Sequence, residues 1–245
     1  MVYRQAGQRF RVAHRPGGAC SMTTDRGQSA AGVEPSATPP LPEAEPLVAA
    51  QVFGDRIDLA RLYTDDLVRR GEELGLIGPV ELTRIWSRHV VNCGLVAPLL
   101  RPGTVGDIGS GAGLPGIVLA IARPDVDFVL IEPMERRISW LEEQKALLEL
   151  SNVTVVRARA EEFPKGRLDQ ITARAVSAFS KLVPMTAPLL RAGGEMVLMK
   201  GAGAATEVAA AEKAIRRYRL VDVEVIELGT DLGVDVTRVI RARVP

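Results

Sequence analysis

The sequence predicts an α/β fold: a Rossmann-like, doubly wound, seven-stranded and mostly parallel sheet that ends in an antiparallel hairpin, with a small helical cap ahead of it. Three observations predict this. From Pro102 onward, apolar strand-like runs alternate with helical stretches, the pattern of a parallel sheet with crossover helices. A glycine-rich segment, Asp107 to Gly116, lies between the first of those strands and the first of those helices. The last two apolar runs, Leu220 to Leu228 and Val234 to Arg241, are too close together for a helical crossover. They should therefore pair antiparallel through the Gly229 to Gly233 turn.

The elements follow in order. Residues 1–45 are rich in Gly, Ser, Thr, Pro and Ala without an apolar period, which predicts a disordered tail. Its first 20 residues carry Arg4, Arg9, Arg11 and Arg15 and no acid. They read as an artefact of the start site, with Met22 as the true start, in preference to a basic RNA-touching arm. Residues 46–102 form the helical cap. There Leu59, Leu62, Leu67 and Leu74 recur at helical spacing, and a second stretch runs through Leu82, Ile85, Trp86, Val90, Leu95 and Val96 after Gly78-Pro79. Residues 103–245 form the sheet domain. Strands are expected at Thr104 to Ile108, Asp127 to Glu132, Val153 to Arg157, Leu168 to Ala173 and Glu195 to Lys200. Helices are expected near Pro115 to Ala122, Glu135 to Leu150, Ser180 to Leu190 and Ala204 to Arg217, with Gly193-Gly194 as a turn.

Composition narrows the function. The 245 residues carry a net charge of +1, so any RNA contact must come from a local basic patch. No apolar stretch reaches the roughly 18 to 20 residues of a membrane span, and the N-terminus lacks a signal-peptide block. The two cysteines, Cys20 and Cys93, make neither a disulfide framework nor a zinc spacing. A cytoplasmic, metal-free monomer is the expectation.

The chemistry sits in DIGSGAGLPG. Asp107 ends a strand, and Gly109, Gly111 and Gly113 follow at alternate positions. Glycine lets a ligand approach the backbone closely, and a helix N-terminus beyond it favours a negative group. Glu132 ends the next strand, where an acid can accept hydrogen bonds from both hydroxyls of a ribose. Gly111, Gly113 and Gly116 also satisfy GxGxxG, the dinucleotide fingerprint. The acid two residues before the first glycine, the early start of the glycine run and the terminal hairpin favour S-adenosylmethionine instead. An NAD-dependent oxidoreductase stays open as the rival reading, as do a methyltransferase for a small molecule or protein and a non-catalytic ribosome-assembly factor.

Beyond the loop, the sequence resembles the bacterial glucose-inhibited division protein B family, the small-subunit ribosomal RNA guanine-N7 methyltransferases. The carriers are DIGSGAGLPGIVLAIARPD, the RAEEF of Arg159 to Phe163, the ARA of Ala173 to Ala175 and the MKG of Met199 to Gly201. The resemblance spans roughly Leu59 to Arg243. It implies a class I methyltransferase fold, S-adenosylmethionine as cofactor and 16S ribosomal RNA or the small ribosomal subunit as partner. It also implies that Gly109 and Leu114 line the cofactor and that Ala160 and Glu161 sit against the adenine. Arg174 should lie at the junction of cofactor and RNA, and Lys200 should face the active cleft, so these two are the candidate catalytic residues. Arg88 and His89 match the start of a family segment resembling RHxLDS, followed here by Val90, Val91, Asn92 and Cys93. They join Arg174 and Lys200 as candidate RNA contacts.

The implied reaction needs little from the protein. Guanine N7 already carries a lone pair, so no general base is required and orientation can supply most of the catalysis. Motifs for other chemistries are correspondingly missing. Ala173-Arg174-Ala175 stands where adenine-N6 and cytosine-N4 enzymes carry an [DNS]PP[YFW] loop, and Cys93 has no preceding proline. Each site candidate also has a plainer reading. Cys93 reads as a packed helix residue and His89 as a satisfied histidine of the cap. Arg174 could instead pair with a strand-end acid. Arg136 and Arg137 should face solvent, and Arg157 and Arg159 should flank the cleft side of the third strand.

Overall fold

The structure, a computed structural model, describes residues 41–245. The expectations for the basic run from Arg4 to Arg15, for Cys20 and for Met22 lie outside the described residues.

The strands are β1 (Thr104–Ile108), β2 (Asp127–Glu132), β3 (Val153–Arg157), β4 (Leu168–Arg174), β5 (Leu190–Lys200), β6 (Val221–Leu228) and β7 (Thr237–Arg243). They form one seven-stranded sheet in the order β3-β2-β1-β4-β5-β7-β6. All pairings from β3 to β5 are parallel, while β7 runs antiparallel to both β5 and β6. The hairpin is therefore present, and it inserts its second strand next to β5. Strand order reverses between β1 and β4, and an open α/β sheet binds its ligands outside the carboxyl ends at such a point.

Two apolar layers cover the sheet. On one face Val105, Phe128 and Leu130 pack with the cap residues Tyr63, Leu67, Ile85 and Trp86 and with Ile117 and Trp140. On the other, Ile108, Ile131, Ile171 and Leu198 pack with Phe179, Leu182 and Ala211. The covering helices are α4 (Gly116–Ala122) and α5 (Glu135–Leu147) on the first face, with α6 (Phe179–Thr186), α7 (Ala204–Ala210) and α8 (Glu212–Tyr218) on the second.

The cap begins with α1 (Val48–Phe53) and α2 (Ile57–Arg70). The buried stripe of α2 is Ala60, Tyr63, Thr64 and Leu67, the i, i+3, i+4, i+7 set of one face. Leu62 is exposed, because it falls on the face nearly opposite that stripe, whereas Leu59 falls on the flank and packs partly against the core. The second helical stretch divides into a 3-10 turn (Pro79–Arg84), a π turn (Ile85–Val90) and α3 (Val91–Gly94). The Glu43 carboxylate accepts the amides of both Trp86 and Ser87 at 2.9 Å, satisfying the start of the π turn from outside.

Two expectations are corrected. The helix expected over Ala204 to Arg217 breaks into α7 and α8 at Ala211, which is buried and leaves helical geometry. The break lets both pieces lie on α6. Gly193-Gly194 is not a turn between elements. It lies inside β5, where the register with β4 shifts between Leu168 and Gln170. A Cβ at Gly194 would come within 2.8 Å of the Arg191 carbonyl, so the bulge needs a residue without a side chain.

Candidate active site

The loop after β1 is anchored at both ends. The Gly109 amide donates to the Ile131 carbonyl at 2.8 Å, and the Gly113 amide to the Ser110 carbonyl at 2.7 Å. Gly109 has φ of 69°, and a Cβ there would stand 3.1 Å from Val176, which follows β4. Gly116 is tighter. A Cβ would meet Leu130 at 2.4 Å and the Asp107 carboxylate at 2.5 Å. Gly116→Ala should therefore cost about 1–3 kcal/mol by overpacking, read as a lower urea midpoint with unchanged m. An unchanged midpoint would show that the strand–helix contact can relax.

Asp107 lies beneath the loop and is fully buried. Its Oδ2 accepts the Gly116 amide at 3.1 Å, so Asp107 itself is the acid at the start of α4. Burial pushes its carboxyl up to about 7, and the Glu132 charge adds to this; the Ser110 hydroxyl and the Gly116 amide oppose it. Its Oδ1 has no hydrogen-bond partner among the described residues. A carboxyl raised in the folded state stabilises the protein below its unfolded pKa, about 4, and that stability is lost as pH rises through about 7. Wild type should lose more urea stability between pH 5 and pH 8 than Asp107→Asn. Equal losses would contradict the raised carboxyl.

Glu132 is 1% exposed. Its two oxygens accept the Gly111 and Met134 amides, each at 3.0 Å. Arg137 is half-buried and stands 3.6 Å from the same carboxylate, which corrects its assignment to solvent. Arg136 is exposed. After β3, a 3-10 turn (Ala160–Glu162) presents a buried Ala160 and an exposed Glu161. Leu114 is half-buried and packs against the first core. From above, the Ala112 carbonyl accepts both the Tyr63 hydroxyl at 2.9 Å and the Trp140 indole at 2.8 Å. Cap and α5 thus hold one carbonyl of the loop between them.

Beside the loop opens a cleft of about 910 Å³. Arg88 and Asn92 line it from the cap, Arg174 to Ala178 from the end of β4, Met199 to Ala202 from the end of β5, and Asp235 and Arg238 from the hairpin. Ala175, directly after Arg174, has φ of 55°, an uncommon conformation for a residue with a side chain. The Arg174 guanidinium donates from Nη2 to His89 Nδ1 at 2.7 Å and to the Arg88 carbonyl at 3.3 Å, and from Nη1 to Cys93 Sγ at 3.4 Å. No carboxylate pairs with it among the described residues.

His89 is 8% exposed and lies inside the cap. Its Nε2 sits 2.7 Å from Glu81 Oε2. Burial, with the Arg174 charge, pushes its imidazole down to about 4. Burial pushes the Cys93 thiol up, and the residue is packed in the cap. Lys200 lines the cleft but is nearly buried. Its ammonium bonds to the Ser177 carbonyl and to Glu207 Oε2, the latter at 2.9 Å. Burial works to raise the Glu207 carboxyl, but Lys200 and the Phe179 amide outweigh it and hold the group below its usual range. Arg157 pairs with Glu135 at 3.0 Å.

The candidates therefore form two groups. Asp107, the three glycines, Leu114, Glu132 and Ala160 gather at the ends of β1, β2 and β3, whereas Arg88, His89, Arg174 and Lys200 gather at the ends of β4 and β5 and the facing cap. Sequence reasoning missed Glu81, Glu207, Tyr63 and Trp140. With aromatics at 4% of the chain, a Tyr and a Trp in amphipathic helices were a usable signal that a buried polar tip needs a partner. Among the described residues, no group of three His, Cys, Asp or Glu is placed to hold a metal. No described helix is long and apolar enough to cross a membrane.

Comparison with known proteins settles the family. The family model described as rRNA small subunit methyltransferase G (GidB) matches residues 56–235. The chain belongs to that family. It is 69% identical over 207 residues to the ribosomal RNA small subunit methyltransferase G of Clavibacter michiganensis, covering 84% of this chain and 98% of the relative. The methyltransferase G of Leifsonia xyli is 64% identical over 203 residues, with 82% and 97% covered. Among solved structures, P. horikoshii TYW2 in complex with MeSAdo superposes with a TM-score of 0.51 at 16% identity, over 64% of this chain and 62% of that one. M. jannaschii TYW2 in complex with AdoMet gives 0.50 at 20% identity, over 65% and 76%. These two likenesses establish the fold, which is that of a class I methyltransferase.

Proposed function

We propose that this member of the methyltransferase G family transfers a methyl group from S-adenosylmethionine to N7 of a guanine in 16S ribosomal RNA, with the small subunit or its RNA as substrate, and that it acts as a monomer. The observation that carries the reading is the pairing of the two groups at the strand-order reversal. A ribose-competent acid and an open glycine loop stand on one side, and a polar cleft with a carboxylate-free arginine stands on the other.

The loop residues fit the cofactor. Each Glu132 oxygen accepts one amide and keeps a further lone pair for a ribose hydroxyl. The Asp107 Oδ1, without a partner among the described residues, is a buried acceptor below the loop, suited to an ammonium or a water bound to one. Gly109, Gly111, Gly113 and Leu114 would line the chain of the ligand, and Ala160 and Glu161 would border its adenine. When bound, S-adenosylmethionine supplies an electrophilic methyl on a sulfonium. The protein's own part is orientation. Arg174 would hold RNA at the junction of the two groups, with Arg88 beside it. Lys200 and Glu207 are committed to each other and build the wall of the cleft; the Glu207 charge would favour the cationic ring that forms. Antiparallel β7 next to β5 argues against the NAD-dependent rival, whose sheet would continue parallel.

The test is transfer of labelled methyl from S-adenosylmethionine to small subunits from a strain lacking the gene. Label in the RNA, fading as salt screens the phosphate contacts, is the expected result. Absence of label on subunits and on free RNA, with cofactor bound, would overturn the substrate assignment.

A further inference from the structure

We infer that Glu81 and His89 form a positioning clamp for Arg174, fixing its guanidinium at the mouth of the cleft so that the target guanine meets it in one orientation. This rests on the methyl-transfer reading above and assigns His89 a task inside the protein instead of at the RNA.

Hydrogen-bond direction carries the argument. An arginine has only donors. The 2.7 Å contact from Arg174 Nη2 to His89 Nδ1 therefore requires Nδ1 to be the bare nitrogen. The imidazole hydrogen must then sit on Nε2, and Nε2 faces Glu81 Oε2 at 2.7 Å. The three groups form one chain with a single consistent polarity: carboxylate, neutral imidazole, guanidinium. The Arg88 carbonyl and Cys93 Sγ take two further contacts on the same inward side. What remains for the cleft is the Nε–H and one Nη1–H. An unrestrained arginine at a strand end loses rotamer freedom when it grips a ligand. Here that ordering is completed on folding, by residues lying 85 and 86 positions away in the chain. The clamp also explains why a polar histidine is buried in the cap.

Two substitutions separate the two ends of the imidazole. Asparagine places an acceptor two bonds from Cβ, where Nδ1 stood. Glutamine reaches the Nε2 position and faces Glu81 but leaves Arg174 without its acceptor. We expect His89→Gln to lower kcat/KM for small subunits by about 10- to 100-fold, the range that misorientation costs, with S-adenosylmethionine affinity within about twofold. His89→Asn should rescue most of that loss. In an Arg174→Ala background, His89→Gln should add less than about a further twofold, because coupled residues are non-additive. Losses that multiply across the double mutant, or equal losses for Asn and Gln at matched melting temperature, would overturn the clamp.

A second readout is independent of activity. The chain has two histidines, His14 and His89, so 15N-histidine spectra are simple to assign. The His89 imidazole should report the Nε2–H tautomer at neutral pH and lose that uniqueness in Arg174→Ala. A Nδ1–H tautomer or an imidazolium would overturn the clamp whatever the activity. A wild-type chain that methylates no RNA would instead overturn the reaction, leaving the spectrum to decide the clamp.

Discussion

Arg174→Ala should lower methyl transfer to small subunits by about 100-fold or more, the scale of a lost orienting contact, while S-adenosylmethionine affinity changes by less than about fivefold. The asymmetry follows from the contacts. The guanidinium bonds to His89, Cys93 and the Arg88 carbonyl and faces the cleft; it makes no bond to Glu132 or to the glycine loop. Arg174→Lys should recover only part of the activity, because an ammonium cannot make the same set of planar contacts. Steady-state kinetics beside calorimetric titration of the cofactor separates the two effects. Equal losses in transfer and in cofactor binding would place Arg174 in the cofactor site alone.

Glu132→Ala should have the opposite signature. Cofactor affinity should fall by about 100-fold, corresponding to roughly 3 kcal/mol, since a hydrogen bond to a charged group contributes about 1.5–3 kcal/mol and the carboxylate would serve two ribose hydroxyls. It also holds the Gly111 amide at 3.0 Å, so its loss would free the loop as well. Glu132→Gln keeps acceptor capacity on one side and should fall between. Isothermal titration with S-adenosylmethionine checks this, with thermal melts to confirm folding. Affinity within about threefold of wild type would remove Glu132 from the ribose site.

Much of this architecture is local in origin, and so was legible. β1, β2 and β3 occupy the spans that their apolar runs mark: β1 and β2 are buried along most of their length, as inner parallel strands are, while β3 is a partly covered edge strand whose Val153, Val155 and Val156 favour extended backbone. Gly109 stands where a positive φ favours glycine, and Gly116 where a Cβ would press on Leu130 and Asp107. The terminal hairpin was legible from the short connection between its runs. Its insertion of β7 beside β5 was not, because pairing partners far apart in sequence leave no local pattern. The same holds for the site. Glu132 showed itself as an acid at a strand end. The Glu81–His89–Arg174 chain joins a 3-10 turn, a π turn and a strand terminus, and only folding brings them together. Tyr63 and Trp140 meet on the Ala112 carbonyl across 49 and 28 residues, with no spacing rule to announce it. The break at Ala211 follows from how α7 and α8 lie on α6, since alanine has high helix propensity by itself.

The proposed reaction is tested by the chemical identity of the methylated base. Small subunits from a strain lacking the gene would be incubated with this protein and labelled S-adenosylmethionine, and their RNA digested and separated. Label is expected in 7-methylguanine, with almost none when Arg174→Ala replaces the wild-type chain. Label in another base, or on ribose, would contradict the proposed reaction.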